Sequence, residues 1–230
     1  MDLWQRVLIL ETSGRVGDVA LAAAGSVVAA RQLEEARRHA RDLAAATAEL
    51  LRERGWRAGD LSAILVSLGP GSFTGLRVGL ASAKALAYAV GCPLLGVPTF
   101  QAVVRQSAAD SRYVAVVADA LQGMAYVEVY ARAADGAYVP VEPLAVHPFA
   151  EWLAKKGEEV RMTGPGVATF RDHLTCRTNV APPGEWRPRP DSLLAAAAEQ
   201  ADHWRCDPVL IEPIYVRPSS AEEKRERSSR

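Results

Sequence analysis

Histidine is scarce, cysteine scarcer, and neither is grouped. The 230 residues include four histidines, at 39, 147, 173 and 203, and three cysteines, Cys92, Cys176 and Cys206. A metal centre needs several ligands at matched spacings; none occurs, so no metal site is expected. Three well-separated cysteines argue for reduced thiols in the cytoplasm and against a disulfide framework. Neither charge is in excess, since 27 lysines and arginines balance 27 aspartates and glutamates. The chain therefore lacks a global basic field for nucleic acid, and an RNA would take most of its phosphate contacts from a partner. The opening MDLWQRVLILETS has no long apolar core or small-residue cleavage site of the secretory kind. Arg77 and Lys84 interrupt the longest apolar stretch, which argues against a membrane span. Internal repeats are absent. What remains is a globular composition, 49% hydrophobic and 23% charged, long enough for one large core or two lobes of about a hundred residues each.

The chain is organised around residues 63–97, AILVSLGPGSFTGLRVGLASAKALAYAVGCPLLGV. The short apolar run from Ala63 to Leu68 carries no helical stripe and reads as a buried strand. Gly69-Pro70-Gly71 breaks it. Ser72 or Thr74 then caps a helix from Gly75 to Ala89, which Gly91 and Pro93 end before a strand from Pro93 to Val97. A strand, a glycine turn and a helix can hold an anion on helix-terminal N–H groups, but the named motifs fail. Leu76 follows Gly75 where a Walker loop needs lysine, Thr74 stands where the dinucleotide fingerprint needs glycine, and Ser72 is not framed as a nucleophile elbow. A tight turn feeding a helix explains the glycines better than a free-standing phosphate site. On the helix, Gly75, Gly79, Ala83 and Ala87 recur every four residues and stack on one face, widened by Ser82 and Ala89. Gly79 in mid-helix costs about 1 kcal/mol against alanine, so something needs the space. Either a partner helix or the chain's own sheet fits there.

Elsewhere, Arg6–Thr12, Asp18–Ala23 and Ser26–Leu33 read as three hairpin-linked strands. Arg37–Arg54 is an amphipathic helix with Leu43, Ala46, Thr47, Leu50 and Leu51 on one face. A short helix over Phe100–Ala108 precedes strands at Tyr113–Ala118, Ala125–Ala131 and Tyr138–Val146. A helix at Phe149–Lys156, a strand at Val160–Thr163, the turn Gly164-Pro165-Gly166 and a helical segment to Leu174 follow. A proline-rich connector, Ala181–Pro190, leads to an alanine-rich helix, Ser192–His203, capped by Asp191.

The segments GPGSFTGLRVGLASAKALA and PLLGVPTFQAV, with the ending Pro213-Ile214-Tyr215-Val216-Arg217, resemble the bacterial TsaB (YeaZ) family of tRNA threonylcarbamoyladenosine biosynthesis proteins. The resemblance implies a two-lobed α/β fold of the actin, sugar-kinase and Hsp70 (ASKHA) type, each lobe a mixed sheet flanked by helices. Residues 1–110 would form the first lobe, 111–218 the second, and 219–230 a mobile tail. In active members of that superfamily an Asp at the end of the first strand, a second hairpin and a later glycine turn hold metal and nucleotide. Here those places carry Glu11, Asp119 and Gly164 with Gly166, as vestigial cofactor candidates. Glu11 replaces the usual Asp and Leu121 the usual Arg. The metal-binding histidine pair of the related transferase TsaD is incomplete, because Leu43 stands four residues after His39. The family role is non-catalytic: it binds and activates TsaD, together with the ATPase TsaE, for threonylcarbamoylation of adenosine 37 in tRNAs that read codons starting with A. The isolated chain would need no cofactor, ATP or ADP belonging at the complex interface, and tRNA would be met only through the complex. Gly75, Arg77, Gly79, Ala83 and Ala87, with Leu43, Thr47 and Leu50, are the expected docking residues for TsaD or a second copy. The alternative reading is an active ATP-dependent phosphotransferase or ATPase. A peptidase, suggested by an old glycoprotease label on relatives, finds no nucleophile here.

Overall fold

The structure is a computed structural model that describes residues 3–33, 39–107, 111–199 and 201–216. The expected tail, 219–230, lies outside these residues. Strand β1 (Val7–Glu11) is buried along its whole length, as the apolar run Val7–Leu10 requires, and the burial extends to the charged Glu11 at its end. It pairs antiparallel with β2 (Gly17–Ala23), which pairs with β3 (Ser26–Leu33). On its other side β1 runs parallel to β4 (Ala63–Ser67), and β4 parallel to β5 (Leu94–Val97). The period-2 alternation of β1 separates two cores: Leu8 and Leu10 face one apolar cluster, Val7 and Ile9 the other.

Helices α1 (His39–Glu53) and α2 (Phe73–Val90) cover the first face, where Leu43, Leu50, Leu80, Ala83 and Ala87 join Leu8 and Leu10. Ser72 caps α2, its hydroxyl accepting from the Gly75 N–H at 3.2 Å, so the helix starts at Phe73, two residues before the expected Gly75. Gly91, at φ 74°, closes it. Helix α3 (Thr99–Gln106) sits between the sheets, with Ala102 toward the first and Phe100, Val103 and Val104 toward the second.

The second sheet has the order β8-β7-β6-β9, built from β6 (Tyr113–Asp119), β7 (Met124–Arg132), β8 (Tyr138–Pro148) and β9 (Val160–Thr163). Its outer core joins helix α4 (Phe149–Leu153) to Phe170, which stacks on Phe149 at 4.1 Å. The helical segment expected up to Leu174 is instead two 3₁₀ turns, Pro165–Val167 and Arg171–His173.

Residues 111–218 are the expected second lobe, but their last elements pack on the first sheet, which corrects that boundary. Helix α5 (Pro190–Glu199) lays Leu193, Leu194, Ala196 and Ala197 against the second face of the first sheet, beside Val7 and Ile9. After α6 (Ala201–Trp204), strand β10 (Arg205–Cys206) pairs with β5 and completes the order β10-β5-β4-β1-β2-β3. The first sheet had an uncovered face, and small alanines let a helix lie flat on it. The helix begins at Pro190, so Asp191 falls in its first turn and is not the cap. The connector before it stitches the lobes together. The Gln106 amide donates to the carbonyls of Glu185 and Arg187 (3.2 and 2.8 Å), and the Thr163 hydroxyl to Glu185 (2.9 Å).

Candidate functional site

Glu11 ends β1 and pairs across the hairpin with Asp18, so two carboxylic residues lie side by side at the mouth of the first sheet. They are 1% and 5% exposed. The Glu11 Oε1 accepts from the Ser13 N–H at 2.6 Å and from the Ser13 hydroxyl, while Oε2 is buried and makes no geometrically sound hydrogen bond among the described residues. Burial pushes its pKa from 4.5 to about 7, against the opposing Ser13 bonds. Burial also raises that of Asp18, and the Arg187 guanidinium, 2.8 Å away, partly offsets it. Sequence reading missed this pairing, since nothing local links residues 169 positions apart.

The glycine loop is filled by the chain itself. The Ser13 carbonyl accepts the Ser72 N–H at 2.7 Å. A Cβ at Gly71 would lie 2.3 Å from the Ser13 carbonyl oxygen, and one at Gly75 2.1 Å from that of Thr12. At Gly79 it would meet the Thr12 hydroxyl at 2.0 Å. These glycines are required because α2 rides directly on the end of β1. The docking assignment is therefore corrected: Gly75, Gly79, Ala83 and Ala87 are buried, as are Leu43 and Leu50 on α1. Thr47 is half-buried, its hydroxyl donating to the Leu43 carbonyl at 2.7 Å. Arg77 alone of that set is exposed; its guanidinium lies 4.0 Å over the Phe73 ring and donates from Nε to the Tyr215 hydroxyl at 2.9 Å.

At the second hairpin, Asp119 accepts the Leu121 N–H on Oδ1 at 2.7 Å and so shapes its own turn. Leu121 and Gln122 both have positive φ, 65° and 56°. The Met124 N–H closes the turn on the Leu121 carbonyl at 3.0 Å, so its central pair is Gln122 with Gly123, itself at φ 73°. Leu121 precedes that pair in a left-handed conformation that asparagine tolerates better, so Leu121→Asn is expected to raise stability by roughly 1 kcal/mol, read as an increase in the urea midpoint. Gly164 and Gly166 are buried against β6: a Cβ at Gly164 would sit 2.3 Å from the Val117 carbonyl oxygen, and one at Gly166 2.8 Å from the Ala118 Cα. Their glycine requirement comes from the chain's own strand. Two surface cavities, of about 380 and 340 Å³, lie away from all three turns, one behind α4 and one between α3, α5 and β8. Among the described residues no group of three or more His, Cys, Asp or Glu is placed to hold a metal, and no helix is long and apolar enough to cross a membrane.

What the first lobe offers outward is different. On α1, Ala44, Ala45 and Ala48 are exposed; on α2, Ala81, Ala85 and Ala89, with Tyr88 88% exposed. The two helices are adjacent on one face of the sheet. Their outer surface thus carries a run of small side chains beside Tyr88, with Glu49, Arg52, Glu53 and Arg77 also exposed, and the small residues permit close approach of another helix pair.

Comparison with known proteins gives a consistent set of similarities. The family model of TsaD, tRNA N6-adenosine threonylcarbamoyltransferase, matches residues 28–171. The chain is 31% identical over 229 residues to the tRNA threonylcarbamoyladenosine biosynthesis protein TsaB of Escherichia coli, covering 95% of this chain and 97% of that one. It is 33% identical over 195 residues to an uncharacterized protein of Mycobacterium tuberculosis, covering 85% and 82%. The structure of YeaZ from Pseudomonas aeruginosa superposes with a TM-score of 0.76 at 24% identity, over 92% of this chain and 99% of that one. The last likeness establishes the two-lobed α/β fold.

Proposed function

Because the chain belongs to the TsaB (YeaZ) family and so to tRNA threonylcarbamoyladenosine biosynthesis, we propose that it is a non-catalytic subunit that docks and activates the transferase TsaD. The ATPase TsaE joins the same assembly, and tRNA is engaged through the complex. One observation carries the non-catalytic reading. The carboxyl at the metal position, Glu11, is buried and turned onto its own Ser13, and the glycine turns are occupied by the chain's own backbone. An ATP site of the superfamily type has neither its fixed anionic ligand nor its open cradle here.

The docking surface is the outward side of α1 and α2, not the buried stripe. The segment matched by the TsaD model spans both helices, so the transferase carries counterparts of them. Two related helix pairs can then meet about a pseudo-two-fold axis. The same argument makes a homodimer the competing assembly when the transferase is absent.

Threonylcarbamoylation of tRNA by TsaD, measured with and without this chain, tests the reading. The expected result is stimulation by the wild type and loss of it in Ala85→Arg, whose long charged side chain stands in the interface. The isolated chain should show no ATP turnover. A rate in the usual enzyme range of about 1–1000 per second that disappears in Asp119→Ala would instead support the phosphotransferase or ATPase reading.

A further inference from the structure

A row of polar side chains crosses the first sheet at its mouth. Glu11 on β1 stands opposite Asp18 on β2, and Asp18 opposite Gln32 on β3. Directly paired residues project from one face of a sheet, here the face that carries Val7, Ile9 and α5. A carboxyl buried there needs either a proton or a cation. Glu11 meets the need by holding its proton up to about pH 7. Asp18 meets it with Arg187, whose Nη2 donates to Oδ2 at 2.8 Å. Gln32 turns its amide oxygen to the same guanidinium and accepts from Nη1 and Nη2 at 2.8 and 3.0 Å, the orientation that satisfies both side chains. The planar fork thus grips two adjacent strands at once, which the point charge of a lysine does not match.

The chain behind that guanidinium is tied to both lobes. The Arg187 carbonyl accepts from the Gln106 amide at the end of α3, 2.8 Å away, and the Ser192 hydroxyl donates to Gln106 Oε1 at 2.6 Å. Two residues earlier, the Glu185 carbonyl accepts from the Thr163 hydroxyl at the end of β9 (2.9 Å), and the Glu185 carboxylate lies 3.4 Å from Arg161. Thr163, Gln106 and Asp18 are all buried, so salt screens these contacts little. Pro188 restricts Arg187 to extended backbone, and Pro182, Pro183 and Pro190 stiffen the connector on either side. Residues 185–187 therefore join the second sheet to the first across no more than about 10 Å of chain.

We infer that Arg187 is an inter-lobe latch. Seated on Asp18 and Gln32, its guanidinium supplies positive charge to the cleft mouth from within the chain and holds the two lobes at one closure. This deepens the non-catalytic reading above and rests on it for its role. An enzyme that works in such a cleft opens to take up its substrate and closes around it. A subunit that presents a docking face has no such need, and a fixed shape spares it the ordering cost of binding.

The test measures the distance between the lobes in the full chain. Nitroxide labels at Arg54→Cys and Thr169→Cys place one exposed reporter in each lobe, and Cys176→Ser removes the exposed native thiol. Pulsed electron resonance, on labelled chain diluted with unlabelled chain, is expected to give one narrow distance distribution while Arg187 is present. Arg187→Ala should broaden it about twofold or more, toward longer distances. That variant leaves Asp18 buried without its cation and can unfold for that reason alone. Asp18→Asn/Arg187→Ala leaves no unpaired charge; it should keep a cooperative urea transition and broaden the distribution likewise. A distribution as narrow in the double variant as with Arg187 present would overturn the latch, as would one already that broad in the presence of Arg187. ATP turnover by the wild type would instead sink the non-catalytic reading, and the role of the latch with it, so the two failures are read from separate measurements.

Discussion

Replacing Ala83 with tryptophan is expected to unfold the first lobe before it affects any partner. Ala83 is fully buried in the cluster that joins α2 to Leu8, Leu10 and Ile64. One turn earlier, α2 lies so close to β1 that a single methyl at Gly79 would strike the Thr12 side chain. The helix cannot retreat without dragging its capped start, since the Ser72 N–H is tied to the Ser13 carbonyl at 2.7 Å. An indole there exceeds the usual penalty of overpacking, about 1–3 kcal/mol, and the expected loss is roughly 3 kcal/mol or more. Ala85→Trp, two residues on but outward, should leave stability within about 0.5 kcal/mol of wild type. Urea unfolding of the pair makes the comparison. An Ala83→Trp protein with an unchanged midpoint would mean that this face is not the packed one.

The contrast shows what the sequence could and could not carry. The spacing of Gly75, Gly79, Ala83 and Ala87 correctly announced a close approach, because period-four small residues have no other common cause. It could not say to what, since a helix face is equally smooth toward a sheet and toward a partner. Only the location of Thr12 and Ser13, sixty residues away, decides it. The strands were legible for a similar reason: β1 and β4 open on apolar runs, Val7–Leu10 and Ala63–Val66, and such runs suit positions buried on both faces. The return of α5 and β10 to the first sheet was not legible. Alanines suit either lobe, and a two-residue strand leaves no period to read. The Asp18–Arg187 contact was hidden likewise, being a purely tertiary match of two ordinary charges.

The pH dependence of stability should change most on removing the Glu11 carboxyl. In the fold this group titrates near 7, because burial disfavours its charged form more than the two Ser13 bonds and the Ser67 hydroxyl favour it; nearby Asp18 raises it a little further. In the unfolded chain it returns to an ordinary value near 4.5. Between these values the folded state holds the proton more firmly, so stability is full below about pH 4.5, falls as pH rises, and levels off above about pH 7. The difference between the two values corresponds to roughly 3 kcal/mol. Glu11→Gln carries no such titration. Relative to wild type it should gain stability by up to about 3 kcal/mol from pH 4.5 to pH 8, read as the difference between the two denaturant midpoints at each pH. Because other groups titrate equally in both proteins, only this difference is informative. A constant difference over that range would mean that Glu11 is ionised throughout and that burial does not raise its pKa. The expected slope is the thermodynamic measure of how far burial of the Glu11 carboxyl outweighs its bonds to Ser13.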